Sequence, residues 1–361
     1  MSHTSAADQQ IQLDQVGLSQ GIVTLGNDYV VEQIVALLNS IEAIMGPEMP
    51  VCIYPYDNRV EKLTAAIAHR PQESLYTDAA SIEKWDAFAK QAWDAHPTAK
   101  SRWQAVGDTS EYHRIGTHRR YCAFDGPFDQ FIYMDADTLL LDTVTPIFEQ
   151  LKTYQFLSYD FQYSDPTHVY EITSIKLHQV FSPDRVSSEI FCSGFYATHR
   201  SVFNPEQLAW LLTQLAEGDA DVLYPMAPDQ TLLNYMVMKT GLAYANLSRL
   251  YPASEITGNS VTSSHFEVTN HIAFDKGRRL TYLHYIGISA RWFDRLCAGE
   301  NILLPYRELF LYYRYLGEDQ QPALLGEPIA YNRSKLGRRQ RLNKLSNSLK
   351  RRARQLMTLV R

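Results

Sequence analysis

An α/β fold, with a mixed and mostly parallel sheet flanked by helices, is the class this 361-residue sequence predicts. Three observations carry that prediction. Gly21–Gly26 is a short apolar run closed by glycine; Val31, Ile34, Val35, Leu38, Ile41 and Met45 follow at helical spacing. Val51–Tyr54 is a second apolar run, so strand, helix and strand fall within about 35 residues, a βαβ unit whose two strands run parallel. Composition agrees: 45% apolar and 20% charged residues exclude general disorder, and no run approaches the roughly 18–20 apolar residues of a membrane span.

Taken in order, residues 1–18 read as a disordered polar leader without the apolar stretch of a secretion signal. Asn27 and Asp28 stand where they can cap the first helix, and Gly46-Pro47 stops it. Residues 58–125 read as mostly helical, with Trp85, Trp93 and Trp103 among charged residues. Gln130–Met134 is the next strand, and Val144–Tyr154 a helix. Gln155–Phe161 and Glu189–Thr198 read as strands, the second broken at Ser193-Gly194. Helices at Pro205–Ala216 and Asp229–Lys239, then strands at Leu242–Leu247 and Leu280–Ile286, complete a body over residues 19–330. No internal repeat appears in it.

Cys52, Cys122, Cys192 and Cys297 stand at least 70 residues apart, which indicates neither a zinc knuckle nor a disulfide framework and fits a reducing cytoplasm. The net charge of −6 hides a division. Residues 331–361 hold eleven Lys and Arg and no Asp or Glu, which leaves 23 basic against 40 acidic side chains over the rest. An acidic body repels phosphates, so nucleic acid is an improbable partner. In the tail Leu342, Leu345, Leu349, Ala353, Leu356 and Val360 recur every three or four residues, the pattern of a basic amphipathic helix. Such a helix can lie on an anionic membrane surface as a peripheral contact; a disordered tail, or one folded onto the acidic body, has the same composition.

The sharpest chemical feature is the run from Phe131 to Leu141, in which four apolar residues deliver Asp135 and Asp137 to the carboxyl end of a strand. In open α/β sheets that end is where ligands bind. Two hard carboxylates there suit Mg2+ or Mn2+, and such an ion can neutralise a diphosphate. The plainer alternative is a pair of strand-end turn residues.

The order of further motifs resembles the GT-A glycosyltransferases, a Rossmann-like α/β class, and is most similar to their retaining, nucleotide-sugar-dependent family-8 type. The motifs are Val23-Thr24, Tyr54-Pro55-Tyr56-Asp57, Ile132–Asp137, Phe191–Gly194, Asp229–Asn234 and His284–Gly287. The resemblance implies Asp135, Asp137 and His284 as ligands of Mn2+ or Mg2+. It implies Thr24, Asn27, Arg119, Arg120, Asp135, Ala136, Ser193, Gly194, Gly287 and Arg291 as contacts of a nucleotide-sugar donor. Asp229 and Gln230 would be the catalytic pair, binding sugar hydroxyls; as helix-start residues after Pro228 they also suit capping. Two departures stand out. Cys192 replaces the usual asparagine, and Ala290 stands where the family carries a phosphate-binding lysine, with Arg291 one position later.

The implied activity is hexosyl transfer to a glycan or lipid-linked acceptor, with retention. Two alternatives stay open: a non-catalytic sugar-nucleotide-binding protein of the same fold, and a haloacid-dehalogenase-type phosphatase. Asp135-Ala-Asp-Thr-Leu139 is similar to the phosphatase motif but lacks its glycine. Tyr159, Phe161, Tyr163, His168 and Tyr170, with Asp160 and Asp165, form a polar–aromatic stretch where an acceptor could sit.

Overall fold

The computed structural model describes residues 18–331; the leader and the basic tail lie outside the described residues. Eight strands, β1 (Gln20–Gly26), β2 (Val51–Pro55), β3 (Glu73–Leu75), β4 (Gln130–Met134), β5 (Thr138–Leu140), β6 (Phe156–Ser158), β7 (Phe195–His199) and β8 (Tyr244–Asn246), lie in the first 246 residues. All but β5 join one seven-stranded sheet in the order β3-β2-β1-β4-β7-β6-β8. β3, β2, β1 and β4 pair in parallel, as do β6 and β8; β7 runs antiparallel to β4 and β6. The mixed, mostly parallel sheet is thus as the sequence predicts.

The strands are apolar at successive positions because helices cover both faces. Alternate residues divide between two cores. Val23, Cys52, Tyr54, Phe131 and Tyr133 point to one, with Trp85, Trp93 and Trp103. Ile22, Val51, Ile53, Ile132 and Met134 point to the other, against Ile34, Leu38 and Ile41. The first helix, α1 (Val31–Met45), covers the second face with α2 (Glu61–Ile67) and α3 (Thr145–Gln150). The three tryptophans are fully buried and each indole N–H has an acceptor: Asp125 at 2.8 Å, His118 at 3.0 Å and the Pro225 carbonyl at 2.8 Å.

Several boundaries differ from the sequence reading. Within 58–125 the helices Glu61–Ile67, Ala79–Asp94 and Ala99–Ala105 and the 3-10 helix Ile115–Asp125 share the segment with β3, which alternation did not reveal. The strand expected over Glu189–Thr198 begins only at Phe195, because Asn234 bonds the N–H and C=O of Phe191 at 2.9 Å each and removes that residue from the ladder. The Leu242–Leu247 strand shortens to β8, since the Asn246 side chain accepts from Ser248 N and starts a helical turn. Asp28 does not cap α1; its carboxylate accepts from Leu63 N and caps α2 instead.

A third apolar cluster holds the C-terminal part. β12 (Tyr282–His284), preceded by the small antiparallel sheet of β9 (Glu267–Thr269), β10 (Ile272–Asp275) and β11 (Arg278–Arg279), pairs with β5 rather than with the main sheet. Helices Ala290–Cys297 and Arg307–Arg314 pack behind it through Phe293 and Phe310. Among the described residues no helix is long and apolar enough to cross a membrane.

Candidate functional site

The β5–β12 pairing assembles the site. Where β4 ends, Asp135 N donates to Gly194 O at 2.9 Å, and Thr138 N and Oγ1 donate to Asp135 O at 3.1 and 2.7 Å, closing a tight bend. The bend leads into β5, whose Thr138 lies opposite His284, and Tyr285 N donates to Asp137 O at 2.8 Å. His284 Nε2 therefore lies 3.2 Å from Asp137 Oδ1 and 3.9 Å from Asp135 Oδ2. One ligand atom from each residue falls within 4.8 Å of the others.

Local packing keeps this space clear. A Cβ at Gly194 would lie 2.6 Å from His284 Cε1 and 2.9 Å from Asp135 Oδ2, so only glycine lets the chain pass. Burial alone would lower the imidazole pKa, but Asp137 and Asp135 outweigh it and raise it above the ordinary value. The two carboxylates thus favour a cation between them, whether a proton on the ring or a metal that displaces it. Two carboxylate oxygens and one imidazole nitrogen form a donor set that suits Mn2+ or Mg2+.

Beside this cluster Arg120 is 4% exposed and committed on every guanidinium nitrogen. Nε donates to Thr117 O at 3.1 Å, and Nη1 to Ser193 O and Oγ at 2.8 and 3.0 Å. Nη2 pairs with Asp135 Oδ1 at 3.2 Å and Asp229 Oδ2 at 3.0 Å. The guanidinium also sits 4.6 Å over the Tyr133 ring, and Tyr133 Oη donates to Asp135 Oδ1 at 2.8 Å. Burial pushes the Asp229 carboxyl up, but Arg120, with Arg114 and His118, overrides it and holds the pKa at about 2. Asp229 is therefore a permanent carboxylate, suited to accept hydrogen bonds and unable to act as an acid at neutral pH. Gln230 accepts from Ser193 N at 3.1 Å and donates to His168 O at 2.9 Å, which fixes both ends of its amide.

All of this opens into a cleft of about 730 Å³ at the carboxyl ends of β1 and β4. Asn27, Arg120, Asp135, Ala136, Asp137, Ser193, Asp229, Gln230, His284 and Gly287 line it. Asn27 is held by Asp57 at 3.0 Å. Other expected contacts lie elsewhere. Thr24 is fully buried below the cleft, and its hydroxyl has no hydrogen-bond partner. Arg119 turns to Asp86 at 2.9 Å and lines a separate hollow. Arg291 is exposed, with its guanidinium 4.8 Å over the Trp292 ring, and is not part of the lining. Of the polar–aromatic stretch, Tyr159, Asp160 and Tyr170 belong to the interior, while Phe161 and His168 stay exposed.

Sequence reasoning missed Tyr29, Arg59, Arg114 and Thr117, which also belong to the lining. Tyr29, 55% exposed, stands at the rim. Its signal was the turn after β1: Asn27 Oδ1 accepts from Tyr29 N at 3.0 Å and projects the ring outward. Arg114 precedes and Thr117 belongs to the 3-10 helix Ile115–Asp125, whose sequence has no clear apolar periodicity.

No family model and no curated protein matches the sequence. Among solved structures, the chain is similar to mouse xyloside xylosyltransferase 1 at 11% identity, covering 63% of this chain and 84% of that one with a TM-score of 0.46. It is similar to the galactosyltransferase LgtC at 16% identity, over 76% of this chain and 94% of that one, TM-score 0.47. It is also similar to the bifunctional glycosyltransferase WbbM at 12% identity and TM-score 0.49, over 84% of this chain and half of that protein's length.

Proposed function

We propose that the chain is a metal-dependent glycosyltransferase that moves a hexose from a nucleoside-diphosphate donor to a glycan or lipid-linked acceptor, with retention. The observation that carries this reading is the convergence of Asp135, Asp137 and His284 in one cleft with an ionised Asp229 beside them. Motif order supports it from the sequence side. The tail that would bring the protein to a membrane, on the cytoplasmic face, lies outside the described residues.

Breaking a glycosyl–phosphate bond leaves negative charge on the diphosphate and positive charge on the anomeric carbon. A divalent ion held by Asp135, Asp137 and His284 would supply charge neutralisation at the diphosphate. The protein's own groups serve the other side of the bond. Asp229, ionised because Arg120 is buried against it, offers an acceptor for sugar hydroxyls and a negative field toward the developing cation. Gln230 and the Ser193-Gly194 backbone bound the same space, with Gly194 allowing close approach. No base among these residues is needed at the leaving group. For retention the acceptor hydroxyl attacks from the face the phosphate leaves, and a phosphate oxygen takes its proton.

A melting screen of nucleotide sugars with and without Mn2+ tests the reading. The expected result is a metal-dependent rise for one donor class, absent in Asp137→Ala, with turnover in that variant reduced on the order of a thousandfold. An equal rise in Asp137→Ala would remove the metal assignment.

A further inference from the structure

Resting on the glycosyltransferase reading, we propose that Arg114 forms an anion subsite of the cleft and binds donor oxygens outside the reach of the Asp135–Asp137–His284 centre. Three arginines line the cleft: Arg59, Arg114 and Arg120. Arg120 is spent on Asp135 and Asp229, and Arg59 pairs with Asp57 at 2.5 Å. Arg114 is exposed, and its side chain has no ion pair or hydrogen bond among the described residues. The acidic groups nearby are already balanced. Asp229 has Arg120, Asp57 has Arg59, and Asp135 and Asp137 together match one divalent ion. Arg114 is left as a cation that feels Asp229 only at a distance and has no contact partner among the described residues, so it is open to an anionic ligand.

Its backbone gives an independent indication. Arg114 holds φ +51° and ψ +38°, a left-handed conformation that costs a non-glycine residue energy and persists only where surrounding structure enforces it. The enforcement is visible: Thr117 N and Oγ1 both donate to Arg114 O, at 2.9 and 2.7 Å. Gly116 is pressed so closely onto the end of β2 that a Cβ there would lie 2.1 Å from Tyr56 O. The strained loop presents Arg114 to the cleft that Tyr56 and Asp229 also line, and both feel its charge. Asp229 and Gln230 face the sugar in the proposed function, so Arg114 stands where the donor's diphosphate meets its sugar. Its partner is an anionic oxygen of the diphosphate or of a sugar carboxylate; the chemistry is shared, and guanidinium suits both.

Calorimetric titration of the Mn2+-loaded full-length protein separates the cases. UDP, GDP, ADP, CDP and dTDP serve as sugar-free probes, and UDP-glucose against UDP-glucuronate reads a sugar carboxylate. The variant is Arg114→Asn, because asparagine removes the cation and tolerates the left-handed backbone. If Arg114 meets the diphosphate, the bound nucleotide loses at least about tenfold in affinity in Arg114→Asn. Arg114→Lys then keeps most of it. If Arg114 meets a sugar carboxylate, the sugar-free probes bind both proteins alike, and only the preference for the glucuronate disappears. Either result comes with a melting temperature equal to or above the parent's. Unchanged binding of every probe overturns the proposal, and so does a melting temperature well below the parent's, which would make Arg114 structural. Failure of the parent to bind any probe removes the glycosyltransferase reading and this inference with it.

Discussion

Asp229 and Asp160 are both buried, 6% and 4% exposed, one lining the cleft and one outside its lining, and they differ in charge behaviour. Asp229 lies against Arg120 and is held at about 2. Asp160 lies behind Cys192 with no cation in ion-pair contact among the described residues. Its Oδ1 accepts from Gln162 N at 2.7 Å, and its Oδ2 has no partner. Burial raises its carboxyl to about 7, only partly offset by the bonds it accepts. Equal burial thus gives a fixed anion in the cleft and a titrating acid outside its lining. The difference is chiefly the Arg120 guanidinium, with Arg114 and His118 adding to it, so the charge of each carboxyl is set by partners rather than by depth.

Removing that guanidinium should make Asp229 behave as Asp160 does. In Arg120→Met we expect a loss of about 3–5 kcal/mol in unfolding free energy at pH 7, because two carboxylates lose their counter-charge and one of them is buried. The pH dependence should reverse. In the parent the lowered pKa of Asp229 contributes stability that is present above the unfolded value near 3.8 and lost as pH falls toward about 2. In Arg120→Met the raised pKa makes Asp229 a liability that grows as pH rises, so the deficit shrinks on acidification to pH 5. Arg120→Met with Asp229→Asn should recover more than half of the loss. Urea melts of the four proteins at both pH values measure this, and additive losses would show that the two residues do not act together.

This pair also marks what the sequence could and could not disclose. The strand run before Asp135 announced both the sheet and the two carboxylates, because an apolar run ending in acids is a local pattern. His284 was reached through motif order, yet its approach depends on β12 pairing with β5 across more than a hundred residues. Arg119 and Arg120 were indistinguishable as adjacent basic residues. The 3-10 helix sends one to Asp86 and the other inward to Asp229, and that turn has no clear periodicity to read. Asp160 reads as part of a polar–aromatic stretch where an acceptor could sit, because nothing local records that Asn246 and Ser248 clamp its carbonyl from a distant strand end.

A middle-sized effect comes from Asp160. Asp160→Asn cannot ionise, so it isolates the charge. The folded pKa of about 7 lies above the unfolded value near 3.8, so the parent binds the extra proton when folded and loses stability as pH rises between the two. Relative to Asp160→Asn, the parent should therefore weaken by about 2–3 kcal/mol between pH 5 and pH 8. Other titrations cancel in the difference. A constant offset at both pH values would mean that Asp160 is already ionised at pH 5 and that a partner or water reaches its Oδ2.

The smallest effect tests how redundantly the Arg120 flank is tied. Tyr133→Phe deletes the 2.8 Å bond to Asp135 Oδ1 while keeping the ring under Arg120 and its stack on Tyr196, whose centroid is 4.9 Å away. Arg120 Nη2 still lies 3.2 Å from that oxygen, and Asp135 is 27% exposed, so water can replace the lost hydroxyl. The expected cost is about 1 kcal/mol or less, read as a Mn2+ affinity lowered no more than about fivefold. If Tyr133→Phe instead abolished Mn2+ binding as Asp137→Ala should, the tyrosine alone would be setting the direction of Asp135. The flank would then depend on one hydroxyl, and the contrast with the unsupported carboxylate of Asp160 would rest on Tyr133 as much as on Arg120.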